Sequence, residues 1–406
     1  MKTKVIAFSL FALTATAVAV YPAYQSIGAV HNVPGDPVNV QLPPVDPQTN
    51  ERPAVEVVFV LDTTGSMSGL IEAAKEKIWS IATTMASAQP APAIRMGLVA
   101  YRDRGDDYVT RVVDLSGNLD SMYARLMDFQ AGGGGDTPES VNQALHEAVN
   151  NISWSKNQDT YKVVFLVGDA PPHMDYQDDV KYPDTIAMAH KYGILVNAIQ
   201  CGDNGATRTQ WQQIASQGHG RYFQVDQAGS AVAIATPFDK KLAELSAKLD
   251  DTRLYYGTRA EKAKQQRKLD ATDKLHADAT VASRARRAAF NASKSGEANL
   301  LGENELVDDV ASGRVDLSTV EEEHLPATVQ AMAPAARKAL IEDKAEQRAE
   351  LQRQISGLTD KRADYLKKKV EATGGARDSL DHQLYGAIRE QAGKKGLLYE
   401  ADAPSY

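Results

Sequence analysis

The stretch Val55-Glu-Val-Val-Phe-Val-Leu-Asp-Thr-Thr-Gly-Ser-Met-Ser-Gly69 decides the fold. Its apolar run from Val57 to Leu61 stops at Asp62, and hydroxyl side chains follow at Thr63, Thr64 and Ser66. A helical pattern then begins. A short Val-rich run closed by turn residues reads as a buried parallel strand. Asp62, Thr64 and Ser66 therefore stand on the loop that leaves the strand's carboxyl end, where open α/β sheets bind their ligands.

Downstream, Ile71, Ala74, Ile78, Ile81, Ala82 and Met85 fall at helical spacing, and Pro90 and Pro92 end that helix. Ile94 to Ala100 reads as a second strand. The turn Arg104 to Asp107 leads into a third, Tyr108 to Leu115, antiparallel to the second because the connection is short. A helix over Leu119 to Phe129 precedes the run Gly132 to Gly135. In Asp136-Thr-Pro-Glu139, Thr137 is placed to cap a helix with Pro138 in its first turn. Val163 to Val167 reads as a buried strand ending in Gly168-Asp169. Helices around Thr185 to His190 and Arg208 to Ala215 alternate with strands Ile194 to Ile199 and Arg221 to Val225. This alternation predicts an α/β fold: a mostly parallel, six-stranded sheet with helices on both faces.

The 406 residues have room for two or three domains, and a net charge of −8 argues against nucleic acid as the main partner. The single cysteine, Cys201, permits no intrachain disulfide and reads as a small filler at a strand end. Lys2 and Lys4 precede an uncharged run, Val5 to Val20, with Ala17-Val-Ala19 as a cleavage site. Residues 1–19 are thus expected to be an export signal, or else an inner-membrane anchor, which makes the protein periplasmic or cell-surface. No cysteine follows that run, which speaks against a lipid-modified N-terminus. Residues 20–53, with Pro34, Pro37, Pro43, Pro44, Pro47 and Pro53, read as an extended tether.

The α/β domain is expected over 54–236 and a charged helical region over 237–406. Helical patterns there cover Phe238 to Asp251, Thr258 to Ser293, Ala335 to Glu371 and Ser379 to Gly393, with an acidic loop at Gly302 to Leu325. Lys344, Arg348 and Arg362 interrupt the apolar stripe of the third. The region reads equally as a coiled interaction arm or as a helical hairpin packed on its own domain.

At the carboxyl ends of the strands the chain offers Asp62, Thr64, Ser66, Thr137 and Asp169: two carboxylates and three hydroxyls. An all-oxygen set suits a hard divalent cation, Mg²⁺ or Mn²⁺. Two carboxylates only just neutralise such an ion, and helix amino ends near Met67 and Pro138 are expected to face it. The ion would stay electrophilic toward an outside carboxylate.

Asp62-Thr-Thr-Gly-Ser66 resembles the Asp-x-Ser/Thr-x-Ser signature of von Willebrand factor A domains. Thr137 and Asp169 fall where that family's metal-ion-dependent adhesion site takes its later ligands. The resemblance covers roughly Ala54 to Thr236. It implies a doubly wound sheet with the first and fourth strands adjacent, a metal held by these five residues, and a non-enzymatic role in binding a protein with an acidic side chain. In that family ligand capture can be coupled to movement of the domain's last helix; here that helix, beginning near Ala231, is expected to run into the C-terminal helices, so that docking at the metal is transmitted to, or read by, the helical region.

A haloacid-dehalogenase-like phosphotransferase using Asp62 as phosphoryl acceptor is the enzyme alternative. It is disfavoured because Thr63 stands where that class has Lys, no second Asp follows at two residues, and an exported protein lacks ATP. A helical scaffold with a vestigial metal site is the third reading. His173, Tyr101 and Asp103 are candidate rim residues for a ligand. Against them stand plainer roles: a turn cap for His173 and, for Tyr101, Arg102 and Asp103 at the strand end, a structural ion pair near the hairpin. Arg104-Gly-Asp106 is ordinary turn chemistry, the Gly run lacks the Lys of a phosphate loop, and Trp154 and Trp211 read as packing residues.

Overall fold

The computed structural model describes residues 52–135, 137–225, 234–373 and 379–400, all in one compact unit. The expected signal segment, nearly all of the Pro-rich tether and the helix start near Ala231 lie outside them.

Strand β1 is Ala54–Asp62, followed by a 3₁₀ turn at Gly65–Met67 and helix α1, Leu70–Ala86. Then come β2 (Ala93–Tyr101), β3 (Thr110–Ser116), α2 (Leu119–Met127), α3 (Val141–Asn150) and β4 (Tyr161–Gly168). The α/β part ends with α4 (Tyr182–Lys191), β5 (Ile194–Cys201), α5 (Gly205–Gln217) and β6 (His219–Val225). The six strands lie in the order β3-β2-β1-β4-β5-β6, with only β3 antiparallel. The expected α/β fold is what the chain forms. β1 and β4 are neighbours, in register at Leu61 and Val167, so Asp62 and Asp169 leave the sheet side by side. The strand order reverses here, which opens the crevice.

Side chains alternate along β1, as a strand period of two requires. Val55, Val57, Phe59 and Leu61 face one core with Trp79 and Met85 of α1 and Met122 and Leu126 of α2. Val58 and Val60 face the other, with Val141 and Leu145 of α3 and Trp211 and Ile214 of α5. Trp211 and Trp154 are packing residues whose indole N–H groups donate to Ala170 O and Ala148 O.

The helical region contains α6 (Asp239–Asp250), α7 (Arg259–Asp278), α8 (Val281–Ala292), α9 (Glu297–Leu301), α10 (Leu306–Ala311), α11 (Ala327–Gln330), α12 (Pro334–Thr373) and α13 (Leu380–Gly393). Two expectations change. Thr258 to Ser293 is two helices, because Thr280 caps α8 by accepting from Ser283 N. Gly302 to Leu325 is not all loop: Glu305 caps α10 through Val307 N and Asp308 N.

The interrupted stripe of α12 also has an explanation. Arg348 is buried and donates to Glu305 and Thr252, and buried Arg362 donates to Asp239 on α6. These charges face inward with partners, and α12 lies along the chain's own helices, with Leu351 and Ile355 against Leu242 and Leu245. Leu384, Ala387, Ile388 and Ala392 of α13 enter the same core as Phe59 and Phe165 of the sheet. Gln391 fixes the contact by exchanging hydrogen bonds with Asn197 and accepting from Tyr161 OH at 2.8 Å.

Candidate metal centre

Asp62 ends β1 fully buried, and its Oδ1 accepts from Thr64 N (2.8 Å) and Thr64 Oγ1 (2.7 Å). Thr64 Oγ1 lies 3.2 Å from Ser66 Oγ, which donates to Asp169 Oδ1 at 3.0 Å. One chain of hydrogen bonds thus links four of the five expected residues across the β1–β4 junction. Thr137, exposed, lines a cavity of about 480 Å³ with Thr64, Ser66 and Asp169, whereas the fully buried Asp62 is not part of its lining. The rest of the lining is glycine (Gly65, Gly133, Gly134 and Gly135) together with Glu139, Ala170, Cys201, Asp203 and Asn204. Among the described residues no basic side chain lines it.

The backbone around the site is tied down. Thr63 Oγ1 donates to Tyr101 O, and Arg102 donates from Nε to Thr63 O and from a terminal nitrogen to Gln130 O. Gly65 N donates to Gly133 O and Gly132 N to Thr63 O, so the Gly run is laced to the β1 loop. Gly133 and Gly134 both have positive φ, and Gly134 N donates to Asp106. This is a fixed cradle, not the mobile approach that the glycine content suggests.

Three expectations about the site are corrected. Thr137 does not cap a helix: α3 begins at Val141, and Glu139 first forms a parallel bridge with Pro172. Met67 belongs to a 3₁₀ turn, and α1 begins at Leu70, so neither helix starts where expected. The candidate rim residues are buried rather than presented to a ligand. Asp103 accepts from Ser140 Oγ (2.8 Å) and Tyr176 OH (2.9 Å). His173 stacks on Tyr176 and lies between Asp103 and Asp175. Tyr101 points its hydroxyl into the sheet beside Asp62, where burial holds it well above the ordinary phenol range. Arg104 pairs with Asp178 and Asp179 in a turn.

Sequence reasoning missed Glu139. It is 3 % exposed, lines the cavity, and its Oε2 has no hydrogen-bond partner. Asp62 Oδ2 is equally orphaned. Burial raises the Asp62 carboxyl to about 7 against the hydrogen bonds from Thr64, and Asp169 adds to the rise. Burial, with Asp62, Asp103, Asp106 and Asp169 nearby, raises Glu139 to about 9. Burial, with Asp169 and Asp62 nearby, pushes the Cys201 thiol up and argues against a nucleophile. Buried carboxylates close enough to raise one another are what a hard cation relieves. The donor set fits Mg²⁺ or Mn²⁺.

Residues 56–237 match the family model of the von Willebrand factor A domain. That segment is a von Willebrand factor A domain. An ariadne-like RING finger protein of Acanthamoeba polyphaga mimivirus is 28% identical over 124 residues, which is 30% of this chain and 12% of that protein. This chain therefore spans a small part of its curated relative. Among solved structures, the von Willebrand factor type A protein from Catenulispora acidiphila is 18% identical with a TM-score of 0.34, covering 43% of this chain and 39% of that one. Proximal thread matrix protein 1 from the mussel byssus, with a zinc-occupied metal-ion-dependent adhesion site, is 17% identical with a TM-score of 0.33 over 43% of this chain and 42% of its own. The SpRpn10 von Willebrand factor A domain is 14% identical with a TM-score of 0.34, over 43% of this chain and 88% of its own.

Proposed function

We propose that this von Willebrand factor A domain binds a protein partner through a divalent cation, Mg²⁺ or Mn²⁺, held by Asp62, Thr64, Ser66, Thr137 and Asp169. The observation that carries the reading is the hydrogen-bonded chain Asp62–Thr64–Ser66–Asp169, whose members Thr64, Ser66 and Asp169 line one cavity with Thr137. When bound, the cation supplies an electrophilic centre for a carboxylate oxygen of the partner. The chain's own part is to hold its donors in place: Arg102 and the Gly run fix the loops, and the sheet fixes the aspartates. No proton transfer or nucleophile is needed, and the domain acts as a binding module rather than an enzyme. The reading includes export, with the domain displayed on the Pro-rich tether.

The test is retention of exported proteins on the immobilised full chain, with Mg²⁺ or with EDTA, for wild type and Asp62→Ala. A partner held by wild type in Mg²⁺ and released by EDTA supports the reading. Equal retention by Asp62→Ala favours the scaffold alternative, in which the helical region binds and the metal residues do nothing. Phosphorylation of Asp62 by a small phosphate donor supports the phosphotransferase alternative instead.

A further inference from the structure

The orphaned carboxylate of Glu139 has no place in the five-residue set, yet the fold takes care to position it. Glu139 N donates to Pro171 O and His173 N donates to Glu139 O, so two hydrogen bonds pin its backbone to the loop after β4. Its side chain then projects into the cavity that Thr64, Ser66, Thr137 and Asp169 line. Gly134 shows how closely it is seated: a Cβ there would meet Thr64 Cβ at 3.2 Å and Glu139 Oε1 at 3.3 Å. The absence of a side chain at 134 lets the two approach from either side of one residue. Oε2 is buried with no donor. A buried carboxylate without donor or cation is costly, and no basic residue among those lining the cavity relieves it.

We propose that Glu139 is a third carboxylate of the metal centre and would help to hold the cation from the segment that follows the Gly run. The proposal rests on the metal-binding reading above and deepens it. Two carboxylates leave a divalent centre neutral, whereas three leave it at −1. The chain then retains the cation by itself, and a partner's carboxylate must take the position that Glu139 vacates. Glu139 is thereby an internal competitor that sets how strongly an acidic partner must bind.

Mn²⁺ titration of the full chain by calorimetry, with thermal melts in EDTA, tests this on wild type, Glu139→Gln and Glu139→Asp. Glu139→Gln is expected to bind Mn²⁺ more weakly by about 10- to 100-fold. Its melting temperature in EDTA should equal or exceed that of wild type, because the acid buried without a hydrogen-bond donor at Oε2 is gone. Glu139→Asp keeps the charge but withdraws it by one methylene, and should also bind more weakly; it decides the matter if Glu139→Gln does not fold. Wild-type affinity in the folded variant overturns the Glu139 assignment and leaves the metal reading intact. A wild type that takes up no Mn²⁺ overturns both.

Discussion

Ser66 Oγ and Asp169 Oδ1, 103 residues apart in the chain, meet at 3.0 Å. The hydrogen bond spans the junction of β1 and β4, and the Gly run beside it sets how far the cavity opens. Gly133 has φ +74°, and a Cβ there would lie 2.3 Å from the Asp106 carboxylate. Gly135 has open space around its Cβ position. Gly133→Ala is therefore expected to displace the cradle and weaken Mn²⁺ binding at least tenfold. Gly135→Ala should bind as wild type does. Parallel calorimetric titrations check this, and equal losses in both variants would contradict it.

A second prediction concerns the join between the α/β layer and the helices. Arg287 of α8 is fully buried and donates to both oxygens of Asp120 on α2 (2.7 and 2.5 Å) and of Asp250 at the end of α6 (2.6 and 3.0 Å). Arg287→Met keeps the bulk but takes the guanidinium from between two buried carboxylates, leaving Asp250 with Arg253 and His276 and Asp120 with Thr272 and Asn299; breaking such a buried pair costs about 3–5 kcal/mol. Burial alone would raise Asp120, but Arg287 and Lys268 outweigh it and hold its carboxyl at about 2. Asp250 is lowered against its own burial by Arg287 and Arg253. A carboxyl depressed in the folded state stabilises fully above its unfolded value near 4, and the contribution disappears as pH falls toward 2. Urea unfolding should show the gap between wild type and Arg287→Met narrowing over that window. A gap constant from pH 7 to pH 2 would count against the network.

The third prediction tests whether the last described helix belongs to the α/β core. Gln391→Leu leaves Asn197 without its reciprocal partner and removes the acceptor of Tyr161 OH. Orphaning such groups costs about 1–3 kcal/mol. One cooperative transition at lower urea is expected from near-UV circular dichroism. Two separate transitions would mean that α13 melts independently of the sheet.

What could be read from the sequence divides along physical lines. The Val-rich run into Asp62 and the Gly168-Asp169 turn carry their signal locally, so the sheet and the linked donors Asp62, Thr64, Ser66 and Asp169 were legible. Glu139 was not, because in Asp-Thr-Pro-Glu it reads as an acid in a helix's first turn; only the bridge to Pro172 turns it into the cavity. Asp103 is held by Ser140 and Tyr176, which arrive from other segments, and His173 stacks on Tyr176 beside it. For α13 the apolar stripe was visible, but nothing in it named the sheet as its partner. Arg348 and Arg362 looked like interruptions because their acceptors, Glu305 and Asp239, are remote in sequence.

The most direct measurement of the central claim is anomalous diffraction from a crystal of the protein soaked in Mn²⁺. The account predicts one strong peak in the cavity lined by Thr64, Ser66, Thr137, Glu139 and Asp169. Glu321, Glu323 and His324 form an exposed group elsewhere whose ligand atoms lie within 4.8 Å of one another, and they provide the internal comparison. A peak at that group with none in the cavity, or no peak at all, would contradict the account.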